Sequence, residues 1–180
     1  MNKLIVISGP SGVGKGTIVN ELLKKGDYAL SISCTTRAPR AGEKEGVSYF
    51  FINKQKFLSM IDGGGFLEYD NHFENYYGTP KEFVEKQLQT KNVILEIEVN
   101  GAFKVKESYP EAILIMIAPP STQELKSRLI GRGTESDADI AERLARLEYE
   151  LSQGEKYDYT VINDDLQRAV AEIEQIIKNQ

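Results

Sequence analysis

Residues 9–17 read GPSGVGKGT. Ahead of them runs Leu4-Ile5-Val6-Ile7, an unbroken apolar stretch, and behind them Ile18 to Lys25 reads as a helix. A strand, a glycine-rich turn and a helix in that order form a phosphate-binding loop. The glycines let backbone N–H groups turn inward onto a polyphosphate, and the helix adds its positive N-terminal end. Lys15 reaches the outer phosphates as a point charge. Every residue from Gly9 to Thr17 is thus a candidate nucleotide contact: Gly9, Pro10, Ser11, Gly12, Val13, Gly14, Lys15, Gly16 and Thr17. The strict motif places Ser or Thr directly after the lysine; here Gly16 stands there and Thr17 follows. Switches, motors and small-molecule kinases share such a loop, so the loop alone leaves the fate of the terminal phosphate open.

The bulk properties narrow the field. The 180 residues suffice for one core domain with small insertions. A net charge of −5 speaks against a general nucleic-acid surface, though a local basic pocket is compatible with it. Cys34 is the single cysteine, so no intrachain disulfide forms, and a reducing, cytoplasmic compartment is expected. No apolar run approaches the roughly 20 residues of a membrane span. Met1-Asn2-Lys3 leads straight into the first strand, not into a cleavable signal.

Further apolar runs at Val93–Ile97, Ala112–Ile117 and Tyr159–Ile162, with Ala29–Ile32 as a fifth candidate, predict strands. Their character is near-continuous, not alternating, which points to a parallel sheet covered on both faces. Leu166, Val170, Ile173 and Ile177 form one helical stripe, and Ile140, Leu144, Leu147 and Leu151 another. Ser121 with Glu124 resembles a capping box opening a helix through Leu129. Strands alternating with helices predict a three-layer α/β fold. Two stretches break the rhythm. Between Ser33 and Thr79 the chain is rich in Gly, Tyr, Phe and charge, with strand-like pieces at Ser48–Ile52 and Phe66–Tyr69 and a helix near Lys54–Ile61. It reads as an inserted subdomain. Gly131 to Asp139 is polar with two glycines and reads as a mobile lid.

The insertion carries a second binding chemistry. Arg37 and Arg40 flank Pro39 and can converge on one anion, which guanidinium groups grip through paired N–H donors. Tyr49 and Tyr77 offer phenolic donors that add no charge. Glu68, within Phe66-Leu67-Glu68-Tyr69, suits guanine: a carboxylate accepts both N1–H and N2–H₂, whereas adenine N1 would repel it. A hydroxyl such as Ser33 or Thr79 can donate to guanine O6. A site built on such hydrogen bonds rejects the wrong partner by roughly 10⁴–10⁵.

The phosphate loop, T-T-R-x-P-R-x-G-E-x-x-G-x-x-Y-x-F, F-L-E-Y, N-Y-Y-G-T, G-R-G-T-E and Y-D-Y-x-x-x-N-D-D occur in that order. Together they resemble the guanylate kinase family, which phosphorylates GMP with ATP, and the likeness runs from about Lys3 to the end. It implies a P-loop NTPase fold with a parallel core sheet, an inserted small mixed-β GMP-binding subdomain and a helical lid. The corresponding division of this single domain is core 1–32, 83–124 and 154–180, GMP-binding subdomain 33–82, and lid 125–153. By resemblance, Ser33, Glu68 and Thr79 contact guanine, while Arg37, Arg40, Tyr49 and Tyr77 hold the GMP phosphate. Glu98 lies close to GMP. Arg128, Arg132 and Arg143 belong to the lid and clasp the transferring group, and Asn163 contacts adenine. Mg²⁺ is expected with ATP, with Thr17 and waters as ligands. The expected substrates are ATP and GMP, with dGMP alongside; no nucleic acid, membrane or obligate protein partner is expected. Glu74 stands where the family often has Gly.

Plainer readings compete. Thr79-Pro80-Lys81-Glu82 is also a good helix start, with Thr79 as its cap. Glu98 can be a strand-end carboxylate, and Arg128 can merely flank a helix. His72, the only histidine, reads as a loop polar residue, and Cys34 as buried packing. Two rivals to the kinase reading remain: a guanylate-kinase-like scaffold that binds phosphorylated partners, and a kinase for another monophosphate. The intact loop and lid arginines oppose the first; Glu68 and its hydroxyl neighbours oppose the second.

Overall fold

The computed structural model describes residues 1–72, 74–121, 123, 125 and 137–180, with only the backbone of 72, 137–140 and 143. Five parallel strands form the main sheet: β1 (Leu4–Ser8), β2 (Tyr28–Leu30), β7 (Asn92–Glu96), β8 (Ile113–Ala118) and β9 (Tyr159–Ile162). Their spatial order is β2-β7-β1-β8-β9. The expected runs match these strands to within two residues at each end. Their apolar continuity has a direct cause. Ile5 and Ile7 of β1 face one cluster with Ile94, Ile115 and Ile117, while Leu4 and Val6 face another with Val93, Leu95 and Leu114. Both faces are covered, so neither alternate set can be polar.

Helices complete the outer layers. On the first face lie α1 (Lys15–Lys24), through Ile18, Val19 and Leu22, and α6 (Leu166–Lys178), through Ala169, Val170, Ile173 and Ile177. The Asp165 carboxylate caps α6, accepting from Arg168 N at 2.8 Å. On the second face lie α3 (Lys81–Leu88), through Val84, and α4 (Val99–Ser108), through Val99, Ala102 and Val105. The α5 helix (Asp137–Ser152) buries Leu147 against Leu125, with Leu144 and Leu151 beside them. Most of the helix expected after Ser121 lies outside the described residues, as does Glu124 of its capping box. No helix among the described residues is long and apolar enough to cross a membrane.

A separate mixed sheet occupies the insertion, in the order β4-β3-β6-β5: β3 (Cys34–Thr35), β4 (Phe50–Phe51), β5 (Phe66–His72) and β6 (Asn75–Pro80). β3 runs parallel to β4 and antiparallel to β6, which pairs with β5 as a hairpin. α2 (Lys54–Asp62) packs on it through Phe57, which is fully buried and stacks on Phe66 at 4.4 Å. Asn53 caps this helix, accepting from Lys56 N at 2.8 Å. The hairpin turn holds Glu74 at φ 68°, the one non-glycine residue in left-handed backbone among the described residues. That conformation costs an L-residue about 1–2 kcal/mol, which explains why glycine suits this position. Cys34 is buried, and burial pushes its thiol up to about 11, in line with packing.

Candidate active site

The glycine-rich loop springs from the C-terminal end of β1, next to the ends of β7 and β8. Ser8 Oγ donates to Ile97 O at 2.8 Å and ties the ends of β1 and β7 together. Gly9 is demanded sterically. Its φ is 143°, and a Cβ there would lie 2.3 Å from the backbone oxygen of Ile117. Gly14, at φ 95°, turns the chain into α1 without any side-chain cap, so the first-turn N–H groups stay available for an anion. Lys15 Nζ arches back over the loop, donating to Gly9 O at 2.6 Å and Pro10 O at 3.0 Å. Burial lowers the Lys15 pKa, while Glu96, Glu150 and Glu98 act in the opposite sense. A carbonyl-bonded, desolvated ammonium is poised to exchange those carbonyls for phosphate oxygens.

A cavity of about 450 Å³ opens above Lys15. Asn163, directly after β9, reaches the loop, its Nδ2 donating to Val13 O at 2.8 Å. Its side chain braces the loop here. Thr17 is exposed and lines a separate shallow groove with Asn20, Glu21 and Lys24. Glu96 stands closer to the phosphate loop. Its two carboxylate oxygens lie 3.7 and 3.8 Å from where a Cβ on Gly16 would be.

A second cavity of about 440 Å³ lies between the mixed sheet and the core. Ser33, Tyr49, Glu68, Tyr77 and Glu98 all line it. Thr79 sits directly beneath Glu68: the two are cross-strand partners in the hairpin, and Thr79 Oγ1 donates to Glu68 Oε1 at 2.7 Å. This settles the role of the Thr79 hydroxyl differently from a helix cap. Pro80 still belongs to β6, so α3 begins at Lys81 and its N-cap makes no side-chain hydrogen bond. Burial raises the Glu68 pKa, against the pull of the Thr79 bond and of Lys104. Gly101 provides clearance, since a Cβ there would come within 3.3 Å of Glu68 Oε2.

Arg37 is not among the residues lining this cavity, but its guanidinium lies 5.6 Å from the ring centroid of Tyr49, which is. Its fork is held by Glu43, Nη1 to Oε2 at 3.0 Å and Nη2 to Oε1 at 2.8 Å, and its buried Nε has no partner among the described residues. The hydrogen bonds that Arg37 donates to Glu43 raise the Arg37 pKa and lower the Glu43 pKa. Arg40 is exposed on the following loop, where its backbone N donates to Glu43 Oε2 at 2.7 Å. Arg128 and Arg132 lie outside the described residues, as does the side chain of Arg143.

The two cavities share a wall made by Glu96, Ile97, Glu98 and Arg146. Arg146, on α5, pairs with Glu98 through Nη2 and with Glu150 through Nε at 3.3 Å. Sequence reasoning missed Glu96, Arg146 and Glu150. An acidic residue ending an apolar strand was a visible signal for Glu96, and the four-residue spacing of Arg146 and Glu150 hinted at an ion pair. Nothing in the sequence joined Arg146 to Glu98.

The family model described as Guanylate kinase matches residues 1–180. A guanylate kinase of Caldanaerobacter subterraneus subsp. tengcongensis is 53% identical over 176 residues, covering 97% of this chain and 85% of that protein. One from Clostridioides difficile is 49% identical over 179 residues, covering 98% and 87%. The crystal structure of guanylate kinase from Anaplasma phagocytophilum superposes with a TM-score of 0.75 at 32% identity, covering 99% of this chain and 85% of that one.

Proposed function

Since the chain belongs to the guanylate kinase family, we infer that it transfers the γ-phosphoryl group of ATP to GMP, giving ADP and GDP. The observation that carries this reading is the shared wall. One cavity is floored by the glycine loop and Lys15, the other is built around the buried Glu68–Thr79 pair, and they meet at Glu96–Glu98. Two anionic ligands seated in them face each other across that wall.

The residue roles proposed with this reading are those of the family resemblance. Lys15 and the loop amides hold the ATP phosphates, and Asn163 stands on the adenine side. Ser33, Glu68 and Thr79 form the guanine site. With Thr79 holding Oε1, the Glu68 carboxylate keeps acceptor capacity for the base. Tyr49, Tyr77, Arg37 and Arg40 hold the GMP phosphate, and Arg37 must then share its fork between Glu43 and that phosphate. The subdomain and lid boundaries, 33–82 and 125–153, carry over with the same reading, as do Arg128, Arg132 and Arg143 as lid cations. The GMP phosphate is already an anionic nucleophile, so no general base is required. Its oxygen attacks the γ-phosphorus, the bond from that phosphorus to the β–γ bridging oxygen breaks, and its electron pair leaves with ADP. Positioning and electrostatics supply the catalysis. Excluding water protects ATP from hydrolysis.

The Glu96 carboxylate, which faces Gly16 and lines the cavity above Lys15, is an oxygen donor of the kind a magnesium ion would take together with phosphate oxygens and water, whereas Thr17, the ligand expected from the resemblance, lines a separate groove. Such an ion neutralises phosphate charge when bound. The test is an ADP-release assay with ATP and each nucleoside monophosphate in turn. GDP formation with GMP, and far weaker activity with AMP, CMP or UMP, is expected. Nucleotide binding without turnover would favour a binding scaffold, and equal rates with the other monophosphates would remove the guanine assignment.

A further inference from the structure

Two anions must meet at the wall between the cavities, yet that wall presents carboxylates. Glu96 and Glu98 line both spaces, and Glu150 lines the one above Lys15. Left alone, they would repel two phosphate chains. Among the described residues, Arg146 is the one cationic side chain that lines both cavities. Its bonds run through Nη2 to Glu98 and through Nε to Glu150. A guanidinium carries five N–H donors, and among the described residues no acceptor is bonded to Nη1. The side chain is about half exposed, and that exposure opens onto the cavities.

We propose that Arg146 is a further catalytic cation, held in the shared wall by Glu98 and Glu150, whose remaining donors engage the phosphate groups where the two nucleotides meet. The proposal rests on the reading that the cavities hold ATP and GMP. The two carboxylates aim the guanidinium fork from two sides, so it arrives pre-oriented. Arg146 also offsets their charge, which would otherwise oppose the incoming phosphates. Because it lines both cavities at their shared wall, its contribution falls on the bridging phosphates more than on either nucleotide alone. That is the signature of a group acting on the transition state.

The test uses the full chain and a bisubstrate probe, adenosine joined to guanosine through five phosphates, alongside GMP and ATP separately. Wild-type turnover of GMP and binding of the probe first establish the parent reading; absence of both would sink that reading itself. Arg146→Gln should weaken the probe about 10- to 100-fold, the range expected when charge-assisted hydrogen bonds are lost. The kcat should fall comparably, while the dissociation constants for GMP and ATP alone shift less than about threefold. Arg146→Lys keeps the charge without the fork and should recover part of the loss; it also serves if the glutamine variant folds poorly. The loss should persist in a Glu98→Gln background. Equal weakening of all three ligands would show that Arg146 only pins α5. Disappearance of the loss in the Glu98→Gln background would show that it only neutralises Glu98. Either result overturns the proposal.

Discussion

Replacing Glu68 by glutamine tests the guanine site with little change in shape. In the protein, Thr79 Oγ1 donates to Oε1 of Glu68, and Oε2 faces the clearance left by Gly101. An amide in place of the carboxylate turns one acceptor into a donor. Facing guanine N1–H and N2–H₂, one hydrogen bond becomes donor against donor and the other loses its charge. A hydrogen bond to a charged group contributes about 1.5–3 kcal/mol, so a loss of about 2–4 kcal/mol is expected, or roughly 30- to 1000-fold in GMP affinity. ATP should bind within about threefold of wild type, because Lys15 and the loop belong to the other cavity. Stability should behave differently. Burial raises the Glu68 pKa in the folded state, so its ionised form is disfavoured there relative to the unfolded chain. The stability that this shift contributes is present below the unfolded pKa and fades as pH rises through the folded one. At neutral pH, Glu68→Gln should therefore leave Tm unchanged or raise it. GMP needs the ionised carboxylate, so wild-type affinity should decline on acidification from a higher pH than an ordinary glutamate would give, and the variant should lose that component. Isothermal titration with GMP and ATP across pH, together with thermal melts, measures all of this. If GMP affinity drops less than threefold, or ATP weakens as much as GMP, Glu68 does not read the base.

Lys15→Ala should abolish turnover while GMP still binds within about threefold, since Lys15 floors the opposite cavity; steady-state rates beside GMP titrations check it. Gly9→Ala should cost about 2–4 kcal/mol and deform the loop, because the new Cβ would collide with Ile117 O, a backbone atom, at 2.3 Å. Urea denaturation reads the cost, and an unchanged midpoint would contradict the clash. Glu74→Gly should raise stability by about 0.5–1 kcal/mol by relieving left-handed backbone at φ 68°. An unchanged or lower denaturation midpoint refutes it.

The amino-acid sequence alone determined the parts whose cause is local. Buried strands announce themselves as apolar runs because both faces of β1, β7 and β8 are covered. The phosphate loop is legible because its glycines answer a backbone requirement inside a short segment, as Gly9 does. The motifs also located Ser33, Tyr49, Glu68 and Tyr77, which line one cavity. Tertiary structure decided what depends on partners distant in the chain. β3 and β4 are two residues each, too short to show a period, and exist because β6 and each other supply hydrogen bonds. Thr79 looked like a helix cap until hairpin register set it opposite Glu68. Nothing local in the sequence marked Arg146; folding carries α5 to the segment just after β7, where Arg146 meets Glu98. Periodicity reports which face is buried, but register and chain closure choose the neighbour, and the wall shared by the two cavities is made of neighbours.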